Sequence, residues 1–452
     1  MPKKSTALAR VAKVAPTKET KSGRAIRLPS QMPTIDAEEA VCRPSQELID
    51  DTELRLKEEA KNAPPPKKVL ESAPMNKRTV VVPVEVPTEA IQGFLAALYK
   101  ISSENEAMPI LKNARVTCAP GKVTLEATDL GLWAIASVKA FGGKQTFEFV
   151  LPLERALNIC KRLSANYNMV PIGIDKENIH FGNYSFPSGG SIQDYPKRFN
   201  LCAEEVKVAM PASYLESIMR RVEPAMGDDI IQSPQLMGIH LDFRDNVAVA
   251  TDGHRMHLLK LPQIHVEASN HLKSPPRVTI PSGFFSYLIA VVNRDWVGIS
   301  VSEKMLVVAG EDYGMLAKTN DRPFPPWKSI LTSYDGFWVL DKKMLLETLK
   351  DAQPLQSVEA IKIASDNISE GLIITAQGED GEVFTKKIGA KRQGNAPLVK
   401  LGVNPDYLRD AVTATAGGLV RLGFSSESSE VSRIEVRGED DDFIGIIMPC
   451  TC

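Results

Sequence analysis

The strongest constraint on the fold is a pattern that recurs six times between Thr79 and the C-terminus. An apolar strand ends at Pro, Asp or Asn, and a helix with apolar residues at i, i+3 and i+4 follows it. Pro near the first helical position and Asp or Asn as N-cap are typical of helix starts. The six strand-to-helix steps begin at Val86, Leu151, Met210, Ile280, Leu340 and Val403. The period of about 60 residues indicates a duplicated supersecondary unit.

Each predicted helix is followed by about three short strands separated by turn signals, so the unit is βαβββ. Six such units predict an α+β protein of three similar domains, because one pair of units can bury two helices against two sheets around one core. We expect the domains at residues 79–199, 200–331 and 332–452. The first two end near related aromatic-proline phrases, at Tyr195-Pro196 and Phe324-Pro325.

Residues 1–78 differ in composition from the rest of the chain. Up to Arg27 there are eight Lys or Arg and one acid, Glu19, and the whole segment lacks aromatic residues. Such a stretch buries too little apolar surface to offset the entropy of ordering, so we expect a disordered extension. Three roles stay open for it: a solvated tail, a transit peptide, or a basic arm that touches DNA.

Composition excludes several classes of protein. The formal net charge is −2, which does not by itself indicate nucleic-acid binding. No apolar run is long enough for a transmembrane helix. None of the six cysteines forms a Cys-x-x-Cys pair, which indicates free thiols in a reducing cytoplasm and neither a disulfide framework nor a zinc site.

A hairpin is predicted at Val247–Leu261, with its turn at Thr251-Asp252-Gly253. An enzyme-like alternative arises here, because Asp252, His254 and His257, with His240 and Asp242 nearby, could hold a metal for a hydrolase or nuclease. Alternate strand positions place His254 and His257 on opposite faces, which disfavours shared ligation. Phosphate-binding loops and nucleophile elbows are also missing. We therefore expect no catalytic residue, no metal and no cofactor.

The phrase Ala250-Thr-Asp-Gly-His-Arg255 resembles the signature of the bacterial replicative sliding clamps, the β subunits of DNA polymerase III holoenzyme. Three other regions support the resemblance, which covers about residues 79 to 452. They are Met108–Asn113 with Ala127–Leu130, Pro323–Leu331, and Ile446–Pro449.

This resemblance implies a processivity factor that catalyses nothing itself. Two three-domain chains would join head to tail into a ring around double-stranded DNA. DNA polymerase, the clamp loader and repair proteins would bind it through short linear peptides. A clamp-like scaffold that does not close into a ring is the remaining alternative, and solution mass separates the two.

The resemblance also implies three sets of functional residues, for which core packing or a solvated helix face is the plainer interpretation. The peptide pocket would be lined by Leu236, Thr251, Gly253, His254, Arg255, Met256, Pro325, Ile330, Met448 and Pro449. The residues facing DNA, through phosphates and without base readout, would be Lys100, Lys161, Arg162, Arg220, Arg221, Arg294, Lys342, Lys343 and Arg409. The dimer edges would lie near Phe186 and Leu355.

Overall fold

The computed structural model describes residues 83–102, 108–175, 178–198, 206–228, 232–268, 275–302, 304–334, 336–353, 355, 360–366, 370–427 and 430–450. The predicted extension at 1–78 and the first predicted domain boundary, at 199–200, lie outside the described residues.

The described chain contains the same succession of elements three times, with nine strands and two helices in each domain. Domain 1 contains β1 (Val84–Pro87), α1 (Thr88–Tyr99), β2 (Asn113–Ala119), β3 (Lys122–Thr128), β4 (Leu132–Lys139), β5 (Phe141–Gly142), β6 (Phe147–Pro152), α2 (Leu153–Leu163), β7 (Met169–Ile174), β8 (Asn178–Phe181) and β9 (Tyr184–Pro187). Domain 2 contains β10 (Val206–Pro211), α3 (Ser213–Arg221), β11 (Ile239–Asp242), β12 (Val247–Thr251), β13 (Arg255–Lys260), β14 (His265–Ala268), β15 (Arg277–Ile280), α4 (Ser282–Val291), β16 (Trp296–Val301), β17 (Met305–Ala309) and β18 (Tyr313–Lys318). Domain 3 contains β19 (Gly336–Asp341), α5 (Lys342–Ala352), β20 (Ile361–Ser365), β21 (Leu372–Gln377), β22 (Val383–Ile388), β23 (Ala390–Gly394), β24 (Lys400–Val403), α6 (Pro405–Ala414), β25 (Leu419–Glu427), β26 (Glu430–Arg437) and β27 (Phe443–Ile447).

All six predicted helices are present, and their starts have the expected chemistry. The Asp341 carboxylate accepts a hydrogen bond from Met344 N at 2.8 Å at the start of α5. The Asn404 side chain accepts from Asp406 N and Tyr407 N, at 2.9 and 3.1 Å, at the start of α6. These side chains satisfy helix N–H groups that have no partner within the helix.

The predicted βαβββ unit lacks one strand that the structure contains. In the first unit of each pair a fourth strand follows the helix, and it pairs with the strand that precedes the helix: β5 with β1, β14 with β10, and β23 with β19. These extra strands are short, and β5 has only two residues, so they have little periodicity to detect.

The strands form four antiparallel sheets, ordered β5-β1-β7-β8-β9, β14-β10-β16-β17-β18-β4-β3-β2-β6, β15-β11-β12-β13-β27-β26-β25-β19-β23 and β22-β21-β20-β24. Both nine-stranded sheets run across two domains. Strand β4 pairs with β18 at what we call the first junction, and β13 pairs with β27 at the second junction. The α+β fold of three similar domains is therefore confirmed, while the exact domain boundaries stay a prediction.

The helices bury their apolar stripes against these sheets. In α1 the buried positions include Ile91, Leu95 and Leu98, all with no exposed surface, at the spacing of one helix face. Full burial of each such side chain stabilises the fold by about 1.5–3 kcal/mol. No helix among the described residues is long and apolar enough to span a membrane.

Candidate functional site

The turn between β12 and β13 is fixed by its own side chains. Thr251 Oγ1 donates to Arg255 O at 2.6 Å and accepts from Gly253 N at 3.1 Å. Asp252 Oδ1 accepts from the backbone N–H groups of His254 and Arg255, both at 2.9 Å. Gly253 has a φ of +93°, which side-chain-bearing residues rarely adopt. The turn therefore holds His254 in an exposed position at the edge of domain 2.

The end of domain 3 lies directly beside this turn. Because β13 pairs with β27, the chain leaves β27 next to His254, and Met448 N donates to His254 O at 2.9 Å. Cys450 N then donates to Gly402 O at 3.0 Å. The Met448 side chain is 43% exposed, and Pro449 is half-buried. The structure thus brings together the predicted pocket residues from both domains.

An apolar cluster lies behind the turn and the chain end. Met256 and Ile330 belong to it, but Met256 is almost fully buried, so it forms part of the floor. Further members that sequence reasoning missed are Val247, Val249, Leu258, Phe324, Trp327, Leu331, Ile444 and Ile446. The sequence does carry a signal for these residues, because apolar residues at alternate positions of a strand lie on one face. Met256 and Leu258 share a face of β13, and Ile444 and Ile446 share a face of β27.

The interdomain segment, residues 319–334 between β18 and β19, contributes Phe324, Trp327 and Leu331 to this cluster and supplies Pro325 and Ile330. The Phe324 ring stacks on the buried His240 ring at 4.4 Å between centroids. Lys328 pairs with Asp245 at 2.5 Å, and Arg433 Nη1 donates to Ile330 O at 2.8 Å. These contacts hold the segment against both domains.

Leu236 lies in a short 3-10 helix, Pro234–Leu236, and is buried. The Asn320 side chain donates to Pro234 O at 2.6 Å, and Gly227 N donates to Leu236 O at 3.1 Å. The 3-10 helix is thereby attached to the start of the interdomain segment.

Arg255 links the turn to helix α6 of domain 3. Its Nε lies 3.0 Å from Asp252 Oδ2, and its Nη1 lies 2.6 Å from Asp410 Oδ2. The guanidinium also lies over the Tyr407 ring, 4.3 Å from the centroid. Tyr407 and Asp410 are two further candidate residues that sequence reasoning missed, because their contact with Arg255 is made only across the second junction.

The same turn occurs at the first junction with a different chemistry around it. Thr128 and Asp129 repeat the four hydrogen bonds of the Thr251 turn, at 2.6–3.0 Å. Lys318 N donates to Gly131 O at 2.8 Å, as Met448 N does to His254 O. At the position of Arg255, however, the first junction has the buried Leu132. An apolar contact therefore closes the first junction where charged pairs bridge the second.

Most of the predicted DNA-facing residues are exposed on their helices or just after them. Lys100, Lys161, Arg162, Arg220 and Lys343 are exposed, as is Arg294, which follows α4 and pairs with Glu311 at 3.5 Å. Arg409 on α6 is half-buried and pairs with Asp406 at 2.6 Å. Lys342 is half-buried, and its Nζ donates to Thr413 O and Thr415 O at 3.2 and 2.6 Å. Burial and the Arg221 and Arg220 charges lower the pKa of Lys342.

Arg221 is a correction to the predicted set. Its side chain is buried, with Nε donating to Ala414 O at 2.7 Å and Nη2 lying 2.7 Å from Asp440 Oδ2. A guanidinium that is engaged in this way is not available to a phosphate. Arg221 instead ties α3 of domain 2 to the end of α6 in domain 3.

The two predicted dimer-edge residues lie in different domains, Phe186 in domain 1 and Leu355 in domain 3. Phe186 is a buried residue of β9, with the Arg155 guanidinium 5.6 Å from its ring centroid. Leu355 follows α5 and packs partly buried against the core of domain 3. Beside β9 there is an open depression of about 350 Å³, lined by Glu154, Arg155, Asn158, Ile159, Arg162 and Tyr184.

No known family profile matches the chain. A curated relative, the beta sliding clamp of Pseudomonas putida, is 21% identical over 377 residues, which span 80% of this chain and 98% of the relative. The solved DNA polymerase III beta subunit of Thermotoga maritima superposes with a TM-score of 0.72 at 16% identity, over 82% of this chain and 100% of that one.

The chain has the fold of the bacterial β sliding clamps. The resemblance predicted from the Thr251-Asp252-Gly253 phrase is thereby confirmed. A solved sliding clamp of Pseudomonas aeruginosa, bound to griselimycin, superposes with a TM-score of 0.69 at 20% identity, over 82% of this chain and 100% of that one.

The metal-site alternative is not supported in this clamp fold. His257 is fully buried, its Nδ1 lies 2.9 Å from Arg221 O, and its ring meets the Phe443 ring edge-on at 5.1 Å. His254 points to solvent on the other face, and Asp252 is occupied by the turn and by Arg255. No group of three potential metal ligands exists among the described residues. His257 is a structural residue of the second junction.

We predict that His257 makes the protein less stable in acid. Burial and the Arg255 charge lower its pKa to about 3, whereas an unfolded histidine titrates near about 6.5. Below pH of about 6.5 the unfolded chain gains a proton that the native chain does not, so the free energy of unfolding falls by up to about 1.4 kcal/mol per pH unit until about pH 3. His257→Leu should remove this part of the slope.

The measurement is the midpoint of urea unfolding between pH 7 and 5 for both proteins. Burial also lowers the pKa of His240, to about 4, and His240 contributes to the pH dependence of stability in the wild type and in His257→Leu alike. The control is Leu258→Ala, which loses buried apolar volume on the same strand without changing a titratable group and should retain the wild-type slope. An unchanged slope in His257→Leu would contradict the prediction.

Proposed function

We propose that this chain is a non-catalytic processivity factor, two copies of which form a closed ring around double-stranded DNA. A pocket at the second junction then holds short peptides of DNA polymerase, the clamp loader and repair proteins. The observation that carries the proposal is the repeated junction between domains, since one interface used head to tail can close on itself.

The repetition identifies the strands that would close the ring. In each domain a four-stranded set ends in β4, β13 or β22, and a five-stranded set ends in β9, β18 or β27. Strand β4 pairs with β18, and β13 pairs with β27. The equivalent strands left without such a partner among the described residues are β22 and β9. A second copy would supply β9 for β22 and β22 for β9, which gives two further junctions of the same kind.

Helix packing follows the same rule. Helix α1 packs against α4 at the first junction, and α3 packs against α6 at the second. Helix α5 should therefore meet α2 of the partner. Arg155 and Arg162 on α2 face the depression beside β9, and α5 carries the exposed carboxylates of Glu347 and Asp351. Glu347 and Asp351 pair with Lys343 and Lys386 within the chain, so the partner's guanidinium groups would join existing ion pairs at this contact.

The exposed cations on these helices and at their ends fit a lining that meets phosphates. Arg220, Lys343 and Lys161 lie on different helices, so contacts would be spread around the DNA and would not depend on base sequence. Such a ring can slide, and a polymerase bound to its face stays near the primer end at high effective concentration. A cytoplasmic site of action follows from this role.

The decisive test is topological. The clamp is loaded onto nicked circular DNA with a clamp loader, salt is raised to about 0.5 M to weaken phosphate contacts, and half of the sample is linearised. We expect the circle to retain the protein and the linear DNA to lose it within minutes, as measured by gel filtration. Equal retention on both forms would refute encirclement.

A further inference from the structure

We propose that the peptide in this pocket carries a cationic side chain beside its apolar anchors, received by Asp228 and the acidic groups around Tyr407. The inference rests on the proposed function, because it concerns the ligand of the same pocket. It adds a charge requirement to a groove that was otherwise defined by apolar contacts.

The wall formed by α6 has more carboxylates than cations. Arg255 is already held by Asp252 and Asp410, at 3.0 and 2.6 Å. Arg409 is held in the same way by Asp406 and Asp410, at 2.6 and 3.7 Å. Both guanidinium groups are therefore used within the protein, while the Asp406 and Asp410 carboxylates keep acceptor capacity for a further donor.

Asp228 adds a fourth carboxylate to this wall. It is exposed, and it directly follows Gly227, whose N–H donates to Leu236 O at 3.1 Å. It also acts on Tyr407: burial, followed by the charges of Asp252, Asp228 and Asp406, raises the pKa of that phenol. No described cation forms an ion pair with Asp228. Four carboxylates thus accompany two guanidiniums on one side of the pocket.

The opposite wall does not offset this excess with an open cation. Arg433 donates to Ile330 O at 2.8 Å, and Lys328 pairs with Asp245 at 2.5 Å. Ser329, which directly precedes the pocket residue Ile330, carries no charge and donates to Pro326 O at 2.7 Å. A lysine or arginine of the ligand therefore gains attraction at this rim, and a glutamate there meets like charge.

The expected preference is modest, because the groups are exposed to water. An ion pair between exposed groups changes affinity by about two- to five-fold. At 1 M salt the electrostatic screening length is about 3 Å, so most of this attraction is lost. Lysine can also pack its methylene stem on the Tyr407 side while its ammonium stays in water.

The experiment uses three fluorescein-labelled hexapeptides with identical Leu and Phe anchors and either Lys, Gln or Glu at the flanking positions. Fluorescence anisotropy gives Kd with the full chain. We expect the Lys peptide to bind about five-fold more tightly than the Glu peptide at low salt, and the ratio to approach one at high salt. Asp228→Asn should reduce the ratio to about two-fold or less.

The matched control is Asp295→Asn. Asp295 is an equally exposed aspartate of domain 2, at the opposite end of α3 from the second junction, where Ala212 N donates to its carbonyl at 2.8 Å. This variant should keep the wild-type ratio. Equal binding of all three peptides, or a Lys preference that survives Asp228→Asn, would overturn the charge inference alone. Failure of all three to bind would overturn the pocket and this inference together.

Discussion

Removal of Met448 to Cys452 is expected to abolish peptide binding while leaving the dimer intact. Met448 is a 43% exposed apolar side chain that lies beside His254 through the 2.9 Å hydrogen bond of its own N–H. Burying such a side chain under a ligand is worth about 1.5–3 kcal/mol, so its loss alone weakens binding by about 10- to 150-fold. Loss of Pro449 opens the groove further. The measurements are a peptide titration and solution mass on the truncated and full chains.

A point variant distinguishes the contribution of the Met448 side chain to peptide binding from that of the backbone around it. Met448→Ala keeps the hydrogen bond to His254 O and the neighbouring pairing of Cys450 with Gly402, so domain 3 stays intact. Its control is Met344→Ala, which removes a methionine of the same exposure, 44%, from helix α5. Normal peptide binding by the truncated chain would show that the pocket lies elsewhere.

Local signals predicted the fold well, because they act within a few residues. Helices start directly after Pro87, Asp341 and Asn404, as the sequence indicated. The fixed backbone angle of proline and the capping oxygens of Asp and Asn act locally, so they need no partner elsewhere in the chain. The Thr251 turn is equally self-contained, because all of its hydrogen bonds lie within five residues.

The roles of the charged residues could not be predicted in the same way. Arg221 and Arg220 are adjacent in sequence, yet one is buried and the other exposed. The difference is the Asp440 carboxylate, which is 219 residues away in sequence and meets Arg221 only when domains 2 and 3 pack. The Arg255 to Asp410 pair has the same origin, at a separation of 155 residues.

The two junctions differ in the side chains around the turn, and this difference is the basis for placing the proposed pocket at the second junction. Both use the same Thr-Asp turn and the same strand pairing. At the first junction, Leu132 packs so closely on Gly283 of α4 that a Cβ added there would lie 2.7 Å from its Cδ1. At the second, the longer Arg255 bridges to α6 through charges. We therefore expect the second junction to keep a rim for a ligand, whereas the Leu132 side chain is packed at the equivalent place of the first junction.

We predict that lysines at the two proposed edges convert the dimer into a monomer. Val383 of β22 is 62% exposed and Tyr184 of β9 is 39% exposed, and uncovered apolar residues on free edge strands invite pairing. Val383→Lys with Tyr184→Lys should block strand addition through charge, and we expect the dimer Kd to rise at least about 100-fold, a change of about 2.7 kcal/mol. Sedimentation across a concentration series measures it.

The control for this variant lies at the other edge of the same sheet as β9. Phe141 of β5 is 47% exposed, but neither β5 nor its equivalents β14 and β23 take part in the two interdomain junctions. Phe141→Lys should therefore leave the dimer unchanged. The double variant should also lose retention on circular DNA while it still binds peptide, because the second junction lies within one chain. If the wild-type chain sediments as a monomer, it is a scaffold that does not close, and if the double variant remains dimeric, the ring closes through other strands.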